Sequence, residues 1–579
     1  MPVLNSFYPN LVDPNSVIDT LVCSRLFNAG IEGGHSIEAW GERLGKEKLH
    51  GDLTSEDFLL YSPKVLERCI RDTLVNALLF NFFRKYIFNN SFTSALRTEH
   101  NISLVCKELT NNGFPFNEES AKVLLSSLCL RLKDLDNLLK EAFPPKEVLK
   151  KVITPRITKD GTVFATDLRR LLAAGYNATD IDPDRDYPIY ETVEFNPSSL
   201  KQIIERLNDA GWKPTEKTKG HAEATQVRRR IQGKQSYSEE KLEKFREFGW
   251  KLSEDNLRTL PDSAPKAAHS LVERLLLAGR VSDLEEYLNL CTLLPSGSRG
   301  IQAQFDGIGA WTQRMTTRGP NLQNIPVPQH KDNPSALDIL ADETAAEMRR
   351  LFYAPKGYRL IGTDADGIQM RIFAHYVNDK RLIEALIKGD KSLGTDIHSL
   401  HRTALGAACK GRNPAKTFIY AWLLGAGTAK VSEILECSFE EAKTAISNFL
   451  GFYPGLSELK GNRIPSDAAR GYFEGLDKRL VVCSDAHKML GGYLQNGEAV
   501  IMKRACLQWR EECKKYKLPF WQVNFVHDEW QTMTYDDDDL CNEISRIQIK
   551  SIVDQGVQLS LNCPLGANSR FGYNWLETH

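Results

Sequence analysis

Tyr358-Arg359-Leu360-Ile361-Gly362-Thr363-Asp364-Ala365-Asp366 runs an apolar segment into two carboxylates. Tyr358 to Gly362 reads as a buried strand, Asp364 falls just past it, and a helix-like stretch opens near Gly367. A strand end holds a carboxylate at a rigid edge, although an aspartate at such a junction is more often a turn residue or a helix cap. A second stretch shifts that balance. Phe520 to Val526 alternates apolar and polar side chains, Trp530 to Tyr535 alternates again, and His527-Asp528 between them can make a tight turn, so the segment reads as a β-hairpin tipped by Asp528. Two carboxylates on adjacent strands can hold a pair of Mg²⁺ ions ~3.5–4 Å apart, with Mn²⁺ able to substitute. Magnesium keeps several waters, so few protein ligands suffice.

A third stretch adds a cation and a ring. Asn413-Pro414 fits a helix start, with Asn as the cap and Pro in the first turn. The helix then sets Lys416 and Tyr420 on one face at i and i+4, with Arg412 just ahead of them. A lysine there can counter triphosphate charge, and a tyrosine can stack on a sugar or base. A surface helix with one half-buried tyrosine has the same spacing. Three classes stay open on these residues: a template-directed polymerase, a metal-dependent nuclease and a non-catalytic DNA-binding scaffold. A nuclease has no triphosphate for Arg412, Lys416 and Tyr420 to bind, and a scaffold has no use for paired aspartates.

The 579 residues exceed what one hydrophobic core organises, so several packed units are expected. With 42% hydrophobic and 26% charged residues the chain reads as globular. Its 74 basic and 75 acidic side chains nearly cancel, but a polyanion responds to local clustering. Lys213 to Lys234 supplies one basic stretch, with Lys217, Lys219, Arg228, Arg229 and Arg230, and Asp536 to Asp539 supplies an acidic one. The 12 cysteines are scattered without Cys-x-x-Cys pairs, which disfavours zinc and disulfide frameworks and points to a reducing cytoplasm. No apolar run approaches the ~20 residues of a membrane span.

Along the chain, residues 1–95 alternate the apolar Val17 to Val22 with helical stretches and read as part of an α/β unit. From about Asn101 to Ala142 leucines recur at helical spacing, which predicts one long helix. The pattern breaks between Phe143 and Glu194, where Pro144-Pro145, Lys146, Lys150 and Lys151 mark an insertion. Helical periodicity returns over Ser198 to Ala210 and Ala267 to Leu290, and irregular chain follows from Phe305 to Asn333.

Asp364 to Arg371, Arg412 to Tyr420 and Val526 to Glu529 resemble, in order and spacing, motifs A, B and C of the family A, DNA polymerase I-like enzymes. Phe195-Asn196-Pro197-Ser198-Ser199, Pro320 to Pro326 and Phe452-Tyr453-Pro454-Gly455 resemble further family segments, and the wording around Tyr420 and Gly34 to Gly45 is similar to the bacteriophage replicative branch. The resemblance implies an α+β multidomain, right-hand fold: a partial exonuclease-like α/β unit at 1–95, thumb at 96–300 with an insertion at about 143–194, palm at 301–390 and 470–579, and fingers at 391–469. It implies a DNA-directed DNA polymerase working on primer-template DNA and dNTPs in phage replication, in the host cytoplasm. Asp364 and Asp528 would be metal ligands, with Ala365 lending its carbonyl. Arg412, Lys416 and His398 would contact the triphosphate, Tyr420 would stack on the incoming nucleotide, and Arg314, Gln495, His527 and His487 would touch the primer-template.

Several positions depart from the family pattern. Gln369 stands where a glutamate excludes the ribose 2′-hydroxyl, so shape rather than charge is expected to disfavour ribonucleotides. Tyr420 in place of phenylalanine implies acceptance of dideoxynucleotides, and Leu424, Gly491 and Gln313 replace an aromatic, an asparagine and a glycine. Val17 to Leu26 and Gly34 to Gly45 resemble the later half of a proofreading exonuclease, and Asp72 matches its last metal-binding aspartate, but Arg68 replaces its tyrosine and its other carboxylates would precede Met1. No proofreading by this chain is therefore expected, and the segment is either a packing remnant or completed by a separate exonuclease polypeptide. Phage relatives insert a thumb loop at the place of residues 143–194 that docks a processivity factor; a helicase-primase is a further implied partner.

Overall fold

Four strands build the sheet that holds the two aspartates. A computed structural model places them as β1 (Tyr358–Ala365), β2 (Trp521–Val526), β3 (Glu529–Tyr535) and β4 (Ala567–Gly572), in the order β2-β3-β1-β4 with each neighbouring pair antiparallel. The structure describes residues 13, 17–46, 56–58, 61–214, 216–218, 220–221, 239–257, 259–330 and 334–579. Lys219, Arg228, Arg229 and Arg230 of the basic stretch lie outside them. The chain folds as two units, one built from residues 1–118, 289–329 and 345–579, the other from 119–288 and 330–344.

Seven helices of the first unit position the site: α1 (Thr20–Phe27), α2 (Asn90–Asn112), α3 (Ile368–Val377), α4 (Ile397–Leu405), α5 (Arg412–Leu423), α6 (Ala486–Lys515) and α7 (Asp538–Gln558). Side chains alternate across a strand, so β1 turns Thr363 to one face and Asp364 to the other. The Thr363 face is covered by α7: Thr363 Oγ1 donates to Gln548 Oε1 (2.6 Å), and Gln548 Nε2 donates to Thr532 Oγ1 (3.0 Å). These polar groups are buried yet satisfied, which removes the main penalty of placing them there. On the Asp364 face, Gly362 admits the end of the chain: a Cβ at this position would lie 2.2 Å from the Thr578 carbonyl.

A continuous apolar core joins sheet and helices. It includes Ile361, Ile368, Phe373, Leu490, Trp509, Trp530 and Ile544, with the Trp509 and Trp530 rings 5.9 Å apart. It extends through Phe418, Trp422, Phe449 and Tyr453, where α4 and α5 pack together beside the helix Phe439–Phe452. That helix opens with a capping box, Ser438 and Glu441 each satisfying the other's backbone N–H.

The second unit has its own core around Leu139, Phe143, Phe195, Ile204, Trp212 and Leu271. Phe195 lies 4.7 Å from Phe143, Ser199 caps the helix Leu200–Asp209, and the buried Arg274 bonds both Asp136 and Ser198, so the Phe195 to Ser199 segment is a structural corner. Residues 143–194 form an antiparallel ribbon of Lys146–Ile153 with Tyr187–Val193, and a helix Ala165–Ala173 closes over a small core of Ile153, Leu171 and Tyr187.

Three local expectations are corrected. The long helix from Asn101 to Ala142 is two helices, Asn90–Asn112 and Glu118–Ala142, separated at Gly113. Gly113 has φ +63°, and a Cβ there would meet Leu294 at 2.5 Å, so the chain turns where only glycine fits. The Val17 to Val22 segment is no strand: Asp19 caps a helix that starts at Thr20, and the described residues before Phe114 contain helices without strands. Gly411, rather than Asn413, caps α5, which places Arg412 inside the first turn and Pro414 at its third position.

Candidate active site

The β3 to β1 ladder pairs Tyr535 with Tyr358 at one end and Glu529 with Asp364 at the other. Next to that pair the β2-β3 hairpin turns through His527 and Asp528, with His527 at φ +47°. The Ala365 N–H donates to the Asp528 carbonyl (3.0 Å). Asp364 is thus held on β1 and Asp528 in the tight β2-β3 turn beside it, joined by a backbone bond.

The cleft is short of positive charge. Burial first, then Glu529, push the Asp364 carboxyl up to about 7. Burial, then Glu498 and Asp364, raise Asp528 well above the usual carboxylate range. Glu529 adds to this deficit by its charge, but its carboxylate is engaged by Gln531, Trp575 Nε1 (2.7 Å) and His579 Nδ1 (3.0 Å). Among the described residues no group of three or more His, Cys, Asp or Glu side chains is arranged to hold a metal. Two repelling carboxylates and the Ala365 carbonyl are a sparse oxygen set, which fits a small hard cation that retains its waters.

Arg314 faces the same cleft. Its guanidinium donates to Glu498 Oε2 (2.5 Å). Burial first, then Arg314, hold the His527 imidazole down to about 4, so that ring is neutral at physiological pH. Arg314 follows Gln313, a non-glycine residue at φ +64°. Gln313 is held there by its side chain, which donates to the Leu26 and Leu480 carbonyls and accepts from Arg479, and by its own carbonyl, which accepts from Lys503 Nζ. Lys503 and Arg479 both bond Glu99, and all three side chains are about 1% exposed. Gln495 lies on α6 one turn ahead of Glu498. His487 stands at the start of α6, its ring 3.1 Å from where a Cβ on Gly425 would be.

A second group forms on α4 and α5. Asp396 caps α4 and receives Arg412 through Nη2 (2.7 Å) and Nε (3.0 Å). Burial works to raise the Asp396 carboxyl, and Arg412 with the Ser399 hydroxyl outweighs it, so the group stays ionised. His398 is pushed down to about 4 by burial and by Arg412. Its ring is 6.1 Å from that of Tyr420, which is 42% exposed, and Lys416 is exposed one turn earlier on the same helix. The α4-α5 pair thus carries Arg412, Lys416, His398 and Tyr420 together.

The family model for DNA polymerase family A matches residues 185–577. The chain belongs to DNA polymerase family A. The DNA-directed DNA polymerase of Enterobacteria phage T3 is 24% identical over 97% of this chain and 88% of its own length, and that of Escherichia phage T7 matches with the same identity and coverage. The DNA-directed DNA polymerase of Escherichia phage Phieco32 is 30% identical over 39% of this chain and 41% of its own. In fold, the POL domain of Pol1 from M. smegmatis, in complex with DNA primer-template and dNTP, superposes with a TM-score of 0.66 at 18% identity, covering 97% of this chain and 82% of that one. This polymerase is therefore an α+β enzyme of the right-hand class and resembles the phage branch.

Sequence reasoning misses three residues of this polymerase site. Asp396 reads as an ordinary helix cap, and only the structure shows it holding Arg412. Glu99 lies far from every motif. Glu498 has a usable signal: it is a lone carboxylate between Gly497 and the apolar run Ala499 to Met502, and it is buried with that run.

Proposed function

We propose that this polymerase extends a primer 3′ end with dNTPs, using two Mg²⁺ ions, for which Mn²⁺ can substitute, held by Asp364, Asp528 and the Ala365 carbonyl. The observation that carries this reading is the ladder register, which fixes both carboxylates side by side on β1 and the β2-β3 turn. When bound, the cations supply activation of the primer hydroxyl and charge neutralisation of the triphosphate. The chain's own residues do the rest. Lys416 and Arg412 pair with triphosphate oxygens, His398 donates or accepts as a neutral ring, and Tyr420 offers an aromatic face to the incoming base. Arg314, Gln495, His527 and His487 line the primer-template side, where minor-groove acceptors common to every base pair allow geometry to be checked without reading sequence. The complex named for the mycobacterial relative, with primer-template and dNTP, supports the same ligands here.

In this reading the fingers lie near 391–469, the palm at 301–390 and 470–579 with the four-stranded sheet, and the thumb near 96–300; the packed units are cut differently, with 96–118 and 289–300 in the first unit and 330–344 in the second. The N-terminal helices brace the Gln313 loop through Leu26 and Glu99. The 143–194 ribbon displays Val148, Leu149, Val152 and Tyr190 at 43–57% exposure, a surface suited to a processivity factor. Phage genome replication in the host cytoplasm, alongside a helicase-primase, is the proposed setting. Among the described residues no helix is long and apolar enough to cross a membrane.

Primer extension with dNTPs and Mg²⁺ tests the reading. Asp528→Asn and Asp364→Asn are expected to lose extension by at least about 10³-fold while keeping salt-sensitive primer-template binding. Extension that survives either substitution would overturn the assignment.

A further inference from the structure

One carboxylate in the cleft has no role in the reading above. Glu498 is 1% exposed on α6, between the palm aspartates and α3. Its Oε2 accepts from Gln369 Nε2 (2.8 Å) and from Arg314 Nη2 (2.5 Å), whereas its Oε1 has no hydrogen-bond partner among the described residues. Burial raises the Glu498 carboxyl above the usual carboxylate range, and Arg314, then Gln369, oppose that rise. Here a single oxygen is shared by a donor from the nucleotide side of the cleft and a donor from the primer side.

The hydrogen bond has a direction that matters for Gln369. The Glu498 oxygen that faces Gln369 already accepts from Arg314, so the Gln369 amide turns its NH₂ toward Glu498 and its carbonyl away from it. A glutamine tied in this way has one orientation and a fixed position; an untied one on the first turn of a helix has several. The tie also explains why an uncharged residue is needed at 369, since a glutamate there would put two carboxylates in contact within a cleft that already holds Asp364 and Asp528.

We propose that Glu498 is a positioning residue that locks Gln369 in place beside the incoming sugar and, through the same oxygen, sets the position of Arg314. Sugar selectivity then belongs to the Gln369-Glu498 pair and not to residue 369 alone. This rests on the reading of Gln369 as the contact that disfavours ribonucleotides. It makes a prediction that a purely structural role for Glu498 does not: the amide and the carboxylate can trade places. In the exchanged pair, the amide moved to position 498 would donate its NH₂ to the carboxylate moved to position 369. The carbonyl of that amide would accept from Arg314, so the donors of the original arrangement again have acceptors.

The test measures kcat/KM for a dNTP and the matching rNTP on one primer-template, with melting temperatures of each full-length variant as a folding control. Glu498→Ala is expected to lower the dNTP-to-rNTP preference by about 10-fold or more, the range for loss of one hydrogen bond to a charged group. Gln369→Glu alone is expected to lose both preference and dNTP activity, and the exchange Q369E/E498Q to recover the preference to within about 3-fold of the original. Equal loss for dNTP and rNTP in Glu498→Ala, or no recovery in the exchange beyond Gln369→Glu, would overturn the proposal. Gln369→Ala separates the two layers. If it leaves the preference unchanged, the reading of Gln369 itself fails; if it lowers the preference while Glu498→Ala does not, only the role of Glu498 fails.

Discussion

Gln313 shows how much a single residue can hide from sequence reading. The left-handed conformation at φ +64° favours glycine, and a side chain there costs about 1–2 kcal/mol of strain. The glutamine offsets that cost with bonds to Leu26, Leu480 and Arg479. Removing the side chain but keeping a Cβ is therefore the worst choice. Gln313→Ala is expected to destabilise the fold by about 2 kcal/mol, and Gln313→Gly by less, because glycine relieves the strain that alanine keeps. Urea denaturation of the two variants checks the order; alanine as stable as glycine would remove the strain argument. The same contrast explains what the sequence can tell about the site. Asp364 and Asp528 are legible because the residues around them form strands whose period is visible. Glu498, Asp396 and Glu99 act through partners distant in sequence, and of the three only Glu498, a lone carboxylate beside an apolar run, leaves a local mark.

At the scale of elements, i, i+4 spacing suffices to place Lys416 and Tyr420 on one helix, but the cap of α5, Gly411, lies two residues ahead of the Asn413-Pro414 pair that mimics a helix cap. Gly411 lacks a side chain to signal its role. The α4-α5 pair also carries a built-in pH response. His401 is fully buried on α4 against Phe449 and Tyr453, and neither of its ring nitrogens has a hydrogen-bond partner among the described residues. Burial, then His398, push its imidazole from 6.5 down to about 3. A histidine whose folded value is depressed is protonated more readily when unfolded, so its contribution to stability is complete above pH 6.5 and is lost as pH falls toward 3. At pH 5 the loss from this one group is about 2 kcal/mol. Thermal melts at pH 7 and pH 5 should show the polymerase weakening on acidification, and His401→Phe should flatten that dependence. An unchanged pH slope in His401→Phe would show that other groups carry it.

For the molecule as a whole, the sequence marks several packed units and an insertion at 143–194, and the ribbon with its own core accounts for that break in pattern. What it cannot mark is the wiring between segments hundreds of residues apart. Glu99 on α2, Arg479 and Lys503 meet in a buried ion cluster that also grips Gln313, so the N-terminal helices brace the loop bearing Arg314. That bracing coexists with a cleft whose carboxylates repel one another. Asp364, Asp528 and Glu498 crowd together, and Arg314 balances only one of them. A site kept in such a state for its chemistry should gain stability when one charge is deleted. Asp528→Asn is expected to melt higher than the unsubstituted protein in EDTA, on the order of 1 kcal/mol from like-charge relief. Mn²⁺ should then raise the melting temperature of the unsubstituted protein, by about 1.4 kcal/mol of stability at ten times its Kd, and leave Asp528→Asn nearly unmoved. The two curves should cross as the cation is titrated. If Asp528→Asn lowered stability without cation, the cleft carboxylates would be part of what holds the fold together, and the repulsion inferred from their burial would not be the dominant force in the cleft.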